Sequence, residues 1–186
     1  MKTVLITGGT GMVGNALCKH LEQKGYQVMI YTRSPAKYKG SETRSYAAWN
    51  PDAGSADEVA FASADYIINL AGAPVVEKKW TDAYKKEILE SRTNSGKMIC
   101  KLLNNTSHKV QAIVSASAVG WYGPDKPGKP AFTETDPASN DFLGETCRAW
   151  EESIEAAVTL GVRLVKFRIG IVLGATGGAL QEFRKP

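Results

Sequence analysis

Three glycines near the start of the sequence have the spacing of a phosphate-binding turn. They are Gly8, Gly11 and Gly14 in the segment TGGTGMVG. At this spacing the first glycine permits a tight turn, the second lets backbone N–H groups approach a phosphate, and the third lets a helix pack closely on a strand. Because the segment lies between a predicted strand and a predicted helix, a dinucleotide site is favoured over a purely structural turn.

The helix that begins in this segment would add its own attraction for phosphate. The first turn of a helix presents unpaired N–H groups and the positive end of the helix dipole. We therefore expect the pyrophosphate of a dinucleotide to contact the turn and the first helical residues, which are Gly8, Thr10, Gly11, Met12, Val13 and Gly14.

The end of the second predicted strand indicates which dinucleotide is bound. Proteins that bind NAD usually place an Asp or Glu there, which accepts hydrogen bonds from the ribose hydroxyls. This sequence instead has IYTRSP, in which Arg33 can pair with a 2′-phosphate and Ser34 can donate a further hydrogen bond. The pattern predicts NADP as the cofactor and makes NAD the less favoured one. The competing interpretation of Arg33 is an exposed surface arginine.

Strands that alternate with helices must position these residues. Short apolar runs predict six strands, at 2–7, 26–33, 43–50, 64–72, 110–117 and 162–174. Apolar residues at helical spacing predict helices over 12–25, 82–103 and 142–160. Such alternation is typical of a parallel sheet with right-handed crossovers. It predicts a doubly wound, Rossmann-type α/β domain over residues 1–174 with strand order 3-2-1-4-5-6.

Composition argues against several other classes of protein. The net charge is +4, and Lys and Arg are interspersed with acids, so no nucleic-acid surface is expected. Cys18, Cys100 and Cys147 are far apart and there are two histidines, which favours reduced, buried thiols over a disulfide framework or a metal site. Neither a signal peptide before the first strand nor an apolar run of about 18 residues is present, so a cytoplasmic protein without a membrane span is expected.

Several motifs together resemble the extended short-chain dehydrogenase/reductase superfamily. The glycine spacing, NLAGA after the fourth predicted strand and SASAVGWYG after the fifth carry this resemblance. The segments KKWTDAYKKEILESR, FTETD, DFLGETCRAWE and RIGIVLGATGGAL are similar to an atypical branch of it. Members of that branch are described as NAD-dependent epimerase/dehydratase-like proteins, or the epimerase family, and most of their substrates are unassigned. The resemblance runs along the whole chain.

The resemblance implies roles for residues beyond the glycine turn. Leu70, Ala71 and Gly72 would line the ribose on the nicotinamide side of the cofactor. Ser115 and Ser117 end the fifth predicted strand. Ser117 best matches the catalytic serine of the superfamily, and Ser115 would lie against the cofactor.

Arg92 lies on the helix predicted over 82–103. It falls near the place where extended members often keep an asparagine. Two interpretations stay open: Arg92 reaches the cofactor, or it pairs with surface acids such as Glu90.

The catalytic Tyr-x-x-x-Lys pair of the superfamily is absent from its expected helix. In that pair the tyrosine moves the substrate proton, while the lysine lowers the tyrosine pKa and holds the ribose. The spacing of four places both side chains on one helical face. Here the two places fall near Leu143 and Cys147, or near Phe142 and Thr146, and neither choice titrates usefully. The atypical branch lacks the pair as well.

The proton donor must therefore be sought in the loop that follows the fifth predicted strand. The segment 123–140 contains four prolines, which predicts a loop. Tyr122 precedes it and is the first candidate; its competing interpretation is an aromatic lid or core residue. Glu134 is a second candidate and is otherwise a residue that orders the loop. Tyr122 and Lys126 have the spacing of the pair, but the intervening Gly-Pro-Asp cannot hold a helix, so we interpret that match as coincidence.

Extended members build a substrate domain from the C-terminal part of the chain. This sequence ends at GGALQEFRKP, shortly after the sixth predicted strand. Two interpretations stay open: the chain is a fragment in which residues 175–186 only start such a domain, or the substrate pocket comes from elsewhere. Apolar surface left uncovered by that domain would favour self-association, such as a homodimer.

These observations predict an NADP(H)-dependent oxidoreductase or epimerase-like enzyme that acts on an unassigned small substrate. The competing class is a non-catalytic NADP-binding or sensing protein, which the missing tyrosine–lysine pair favours. A protein that keeps the fold only as a structural partner is a third interpretation, because fold does not fix function.

Overall fold

A computed structural model describes residues 1–125, 127–128, 130–174, 177–178 and 180 of the chain. The strands are β1 (Thr3–Thr7), β2 (Gln27–Thr32), β3 (Arg44–Asn50), β4 (Ser55–Ala56), β5 (Tyr66–Asn69), β6 (Ala112–Ala118), β7 (Arg163–Ile169), β8 (Leu173–Gly174) and β9 (Gly177–Gly178). The α-helices are α1 (Met12–Gln23), α2 (Glu58–Ala62), α3 (Asp82–Asn105), α4 (Phe142–Glu152) and α5 (Ala156–Thr159). Single turns of 3-10 helix span Pro35–Lys37 and Val119–Tyr122.

The main sheet has the strand order β4-β3-β2-β1-β5-β6-β7. Every neighbouring pair is parallel except β3 with the short edge strand β4, which is antiparallel. In the register, Leu5 of β1 lies opposite Met29 of β2 and Ile67 of β5. The order reverses direction between β1 and β5, as in a doubly wound fold. The predicted Rossmann-type fold and strand order 3-2-1-4-5-6 are confirmed, with one antiparallel strand added at the edge.

The two faces of the sheet bury different layers of side chains, because successive residues of a strand point to opposite sides. On one face α1 covers a cluster made of Val4, Ile6, Cys18, Val28 and Ile30. On the other face α3 and the segment after α4 cover a larger cluster, which includes Leu5, Phe61, Ile67, Ile99, Ile113 and Ile154. Parallel strands buried on both sides explain why the sequence shows apolar runs rather than alternation.

The helix predicted over 142–160 is in fact two helices. A turn at residues 153–155 separates α4 from α5. The Ser153 hydroxyl donates to the carbonyl of Trp150 at 2.7 Å. The Ser91 hydroxyl makes the same kind of bond to Ile88 within the unbroken α3, so this contact accompanies the break and does not explain it.

The sixth predicted strand, over 162–174, is also shorter than expected. Strand β7 ends at Ile169, which lies opposite Ala118, the last residue of β6. Beyond that point β6 offers no backbone for pairing, and Leu173–Gly174 instead pairs with Gly177–Gly178 in a separate antiparallel hairpin. The proposed second region over 175–186 lies mostly outside the described residues, as does Lys126.

Two short elements, β4 and α2, could not be predicted from the sequence. Strand β4 has two residues and α2 has five, which is too short for a periodic pattern. Asp57 caps α2 by accepting a hydrogen bond from the backbone of Ala60 at 3.0 Å. Within the part of the chain that the structure describes, no helix has the length and apolar character needed to cross a membrane.

Candidate functional site

A groove of about 640 Å³ opens at the carboxyl ends of β1, β2 and β5, and is called the large groove below. It lies where the strand order reverses, which is the place where open α/β sheets bind ligands. Eight of the predicted cofactor residues line it: Gly8, Thr10, Gly11, Arg33, Ser34, Leu70, Ala71 and Gly72. The other predicted site residues lie outside its lining: Met12, Val13, Gly14, Arg92, Ser115, Ser117 and Tyr122.

The glycine turn is packed so closely that side chains are excluded at two of its positions. Gly8 has φ of +70°, and a Cβ there would lie 2.8 Å from the carbonyl carbon of Leu70. A Cβ at Gly14 would lie 2.4 Å from the Gly8 oxygen. At Gly11 the nearest atom would be 3.4 Å away, so the space above it opens into the large groove. The first and third glycines serve the turn itself, and the second leaves room for a ligand.

Helix α1 begins directly behind this turn. Gly11 is its N-cap residue with an extended backbone, and in the described structure no side chain caps the first N–H groups. Those N–H groups form the positive end of the helix dipole and lack helical partners. Since the side chains of Met12 and Val13 do not line the large groove, any contact they make with a ligand would come from the backbone.

A buried hydrogen-bond network fixes the NLAG turn on the opposite wall. Thr7 donates to the side-chain oxygen of Asn69 at 2.6 Å and accepts from the backbone of Leu70 and Ala71, both at 3.2 Å. Ser95 of α3 donates to the same Asn69 oxygen at 2.7 Å. Because Thr7 and Asn69 are fully buried, these bonds hold the turn rigidly beside the glycines. Sequence reasoning missed this network, which joins residues far apart in the chain.

Ser115 belongs to the same network. It is 1% exposed, and its hydroxyl accepts from the Asn69 side chain at 3.2 Å. Ser115 therefore supports the NLAG turn through Asn69, and its predicted direct contact with the cofactor stays a prediction.

The large groove carries two cations, Arg33 and Lys37, and its lining also contains the acids Asp52, Glu77 and Glu87. Arg33 is exposed and, within the described residues, makes no salt bridge. The 3-10 turn at Pro35–Lys37 brings Lys37 back to the lining beside Arg33 and Ser34. Sequence reasoning missed Lys37, although the proline two residues before it was a signal for a turn. Among the described residues neither Arg33 nor Lys37 forms a salt bridge, and two such cations beside a hydroxyl favour a phosphate group.

Arg92 lies behind the NLAG turn rather than in the large groove. Its guanidinium carbon is 5.0 Å from the centre of the Trp150 ring, and its Nη1 donates to the Ile88 carbonyl at 2.8 Å. Burial lowers the pKa of Arg92. Glu90 pairs instead with Lys86 at 3.8 Å, so the structure does not show the surface pairing that the sequence had left open.

A second cavity of about 130 Å³ lies between α3 and α4 and is called the small cavity below. Leu143 and Cys147, one of the two predicted places for the missing tyrosine and lysine, both line it. Burial raises the pKa of the Cys147 thiol, whose sulfur lies 3.6 Å from the Ala118 carbonyl. Leu143 and Cys147 are therefore both uncharged, in a lining whose charged member is Arg92.

Ser117 lies beneath α4 and is 2% exposed. Its hydroxyl makes no well-aligned hydrogen bond within the described residues, but it is close enough to the Cys147 thiol and the Glu151 carboxyl to lower the pKa of both groups. Ser117 lies on the same face of β6 as Ser115 and is not part of the small-cavity lining, whereas its neighbour Cys147 is. The catalytic role that the resemblance implies for Ser117 stays a prediction, and it requires access through this cavity.

Tyr122 is held in place by Arg168. Nη1 of Arg168 donates to the Tyr122 hydroxyl at 3.0 Å and to the backbone carbonyl of Glu134 at 3.1 Å. The same guanidinium lies 3.7 Å from the centre of the Trp121 ring, and the Tyr122 ring stacks on Phe132 at 5.1 Å. The loop after β6 is thus tied to β7 through one arginine, which sequence reasoning missed.

The counter-ion of Arg168 is the buried Glu151. Burial raises the pKa of the Glu151 carboxyl, but the hydrogen bonds of Arg168, the nearby Ser117 hydroxyl and the charges of Arg168 and Lys166 outweigh this effect and lower the pKa below its usual value. The hydrogen bonds with Glu151 raise the pKa of Arg168 in turn. Both groups are therefore charged at neutral pH.

The fold and the large groove define a nucleotide-binding α/β protein with short-chain dehydrogenase architecture. Residues 4–178 match the family described as NAD dependent epimerase/dehydratase. The chain belongs to this family, and the resemblance to an atypical, epimerase-family branch is confirmed.

Similar proteins that are named as epimerases or epimerase family proteins support this assignment to the family. Epimerase family protein SSP1921 of Staphylococcus saprophyticus is 37% identical over 187 residues, which cover 100% of this chain and 60% of the relative. The crystal structure of human epimerase family protein SDR39U1 with NADPH has a TM-score of 0.77 and 26% identity, and the match covers 97% of this chain and 58% of that one. The nucleoside-diphosphate sugar epimerase of Corynebacterium glutamicum has a TM-score of 0.79 and 32% identity, over 98% and 36% of the chains. This chain thus spans 60% or less of these proteins.

Proposed function

We propose that the large groove binds NADP(H), and that the protein is an NADP(H)-dependent oxidoreductase or epimerase-like enzyme for a small substrate bearing a hydroxyl or carbonyl group. The observation that carries this proposal is the convergence of the glycine turn, the NLAG turn and Arg33 on one groove. Support comes from the family, whose description names NAD, and from the human relative, whose structure contains NADPH.

The residues present fit the parts of such a cofactor. The pyrophosphate would lie over Gly11, where the turn leaves space, and would accept from the first N–H groups of α1. Arg33 and Lys37 would pair with the 2′-phosphate, and Ser34 would donate to it. The ribose on the nicotinamide side would lie against the NLAG turn, which Thr7 holds in place.

When bound, NADP(H) supplies or accepts the hydride, and the protein must position the substrate and move a proton. We propose Ser117 and Tyr122 for these tasks. The Tyr122 hydroxyl accepts a hydrogen bond from Arg168, which fixes its position and leaves its own proton free to point toward a substrate. Ser117 would hold a substrate oxygen that enters from the small cavity.

A specific observation favours a second candidate function, a non-catalytic NADP-binding or sensing protein. Leu143 and Cys147 occupy places where a tyrosine and a lysine would act, and burial raises the pKa of that thiol. A protein without a proton donor would still bind the cofactor through the large groove.

One experiment separates the two functions. The protein is incubated with NADPH or NADP and a panel of small carbonyl and hydroxyl compounds, and the reduced cofactor is followed by its absorbance. Turnover that disappears in Gly11→Val supports the enzyme. NADPH binding without turnover on the panel supports the sensing protein, and absence of NADPH binding contradicts both.

A further inference from the structure

The walls of the small cavity are mainly apolar. Val75, Ile88 and Leu143 form three of them, and Ala118 and the ring of Trp150 complete the enclosure. A water molecule held inside a protein needs about two to four polar partners. Aliphatic and aromatic walls do not supply them, so the cavity favours an apolar occupant over ordered water.

The polar groups around the small cavity offer little to a ligand. The Thr146 hydroxyl and the Trp150 indole N–H are buried with almost no accessible surface. The Cys147 thiol lies 3.6 Å from the Ala118 carbonyl, to which it donates. The guanidinium of Arg92 donates to a backbone carbonyl one turn earlier on α3 and packs over the Trp150 ring. An apolar group is therefore the chemical complement of the surface that a ligand would meet.

The cavity has room because two of its side chains are short. Leu143 and Cys147 line it, and they stand at one of the two places predicted for the missing tyrosine and lysine. A longer side chain at either place would extend into this space. The volume is about 130 Å³. A cavity of about 150 Å³ with similar apolar walls holds one benzene molecule, so the small cavity admits a group of about six heavy atoms.

The small cavity adjoins the large groove at the NLAG turn. Gly72 lines the large groove, and a Cβ on Gly72 would lie 3.0 Å from the guanidinium carbon of Arg92, which lines the small cavity. Ser91 lines the large groove and is the residue before Arg92 on α3. A group held in the small cavity would thus lie beside the proposed position of the nicotinamide ribose.

We propose that the small cavity binds the apolar body of the substrate, a neutral ketone or alcohol whose ring or branched chain has about six heavy atoms. The proposal rests on the proposed function, since it names the substrate class of that site. The carbonyl or hydroxyl end would face the large groove. A sugar ring of the same size is disfavoured, because it would bury hydroxyl groups without partners.

The test uses cyclohexanone as the probe and tetrahydropyran-4-one, in which an oxygen replaces one ring methylene, as its match in shape. The protein is titrated with each, with and without NADPH, while the indole N–H signal of Trp150 is followed by NMR; Trp150→Phe identifies that signal among the four tryptophans. Cyclohexanone is expected to shift the signal saturably. Tetrahydropyran-4-one should bind more weakly by about fivefold or more, since it buries less apolar surface and an oxygen without a partner. Equal affinities overturn the proposal.

Two variants fill the small cavity from different elements. Val75→Phe extends a side chain of the lining from the loop after β5, and Leu143→Phe does so from α4. Each should abolish the saturable cyclohexanone shift and leave NADPH affinity unchanged by calorimetry. Val76→Phe is the matched control, because Val76 is 76% exposed and lies outside the lining. Thermal unfolding checks the fold of all three, and cyclohexanone binding retained in both folded filling variants overturns the proposal.

The two proposals fail in different ways. NADPH binding without a saturable cyclohexanone shift overturns the apolar site while the cofactor proposal stands. Cyclohexanone binding that Val75→Phe abolishes, in a protein that does not bind NADPH, supports the apolar site and contradicts the proposed function.

Discussion

Arg168 donates two hydrogen bonds to Glu151, from Nε to Oε1 at 2.9 Å and from Nη2 to Oε2 at 3.2 Å. This pair joins β7 to α4, and the same guanidinium holds the Tyr122 hydroxyl. The helix that lacks the tyrosine–lysine pair and the loop that carries the proposed proton donor are therefore fixed by one arginine.

Removing one charge of this pair should destabilise the fold. The side chains of Glu151 and Arg168 are 4% and 16% exposed, so Glu151→Gln leaves a buried guanidinium without its counter-ion. We expect the free energy of unfolding near neutral pH to fall by about 3 kcal/mol, as for other buried pairs. Glu152→Gln, at the exposed neighbouring position, is the matched control. Chemical denaturation measures both, and equal stability of the two variants would show that the pair contributes little.

The Arg168–Glu151 pair should also make the free energy of unfolding depend on pH. The pKa of Glu151 is lower in the folded state than its usual value, so the pair contributes stability above the ordinary carboxyl pKa of about 4.3. That contribution is lost as the pH falls through the lower folded pKa. Between neutral pH and this acid range, the unfolding free energy of the unmodified protein should therefore fall more than that of Glu151→Gln. Parallel curves for the two proteins would contradict the shifted pKa.

Two glycines of the turn have different roles: Gly11 leaves room for a ligand, whereas Gly14 is required for the close packing of the turn. Gly11→Val should abolish NADPH binding and leave the fold intact, because a Cβ at Gly11 meets no atom nearer than 3.4 Å in the protein and projects into the large groove. Gly14→Ala should instead destabilise the fold, since its Cβ would lie 2.4 Å from the Gly8 oxygen. Calorimetry and thermal unfolding test both variants. Tight NADPH binding by a folded Gly11→Val protein would refute the proposed pyrophosphate position.

Ser117→Ala tests the proposed catalytic serine. The Ser117 hydroxyl is buried and makes no well-aligned hydrogen bond within the described residues, so its removal should change the stability of the fold by no more than about 1 kcal/mol, the weak contact with Glu151 being lost. If Ser117 holds a substrate oxygen, turnover of an active substrate should fall while NADPH affinity stays unchanged. Unchanged turnover would remove Ser117 from the mechanism.

Tyr122→Phe tests the proposed proton donor in the same assay. The change removes one hydrogen bond from Arg168, while the Phe132 stacking partner remains. A proton donor should affect kcat, and a merely ordering residue should affect KM or stability. An unchanged kcat would mean that the donor lies elsewhere.

Much of the fold could be predicted from the sequence because local patterns and the fold agree. Apolar runs between glycines mark the buried parallel strands, and the cap at Thr81 marks the start of α3, where its hydroxyl accepts from Tyr84 at 3.3 Å. The break after α4 could not be predicted. Helical periodicity continues across it, and the Ser153 bond to Trp150 has the same form as the Ser91 bond to Ile88 within the unbroken α3. The end of β7 depends on where its neighbour β6 stops, which is a property of the sheet.

The residues of the candidate site also fall into two groups, those that the sequence predicts and those that it does not. Residues that contact a ligand through backbone or through a fixed turn, such as Gly8 and Leu70, are close to a sequence motif and could be predicted. Lys37 enters the large groove through a short 3-10 turn, and Arg168 reaches Tyr122 across 46 residues of chain. Contacts of that kind arise only when separate strands meet, so no spacing in the sequence indicates them.

Binding of NADP(H) in the large groove through Arg33 is tested most directly by calorimetric titration with NADPH and NADH. The unmodified protein should bind NADPH more tightly, and Arg33→Ala should remove most of the difference, about 1.5–3 kcal/mol for a charged hydrogen bond. Lys39→Ala, an exposed position outside the lining, should leave both affinities unchanged. Equal affinity of the unmodified protein for NADPH and NADH would contradict binding through Arg33.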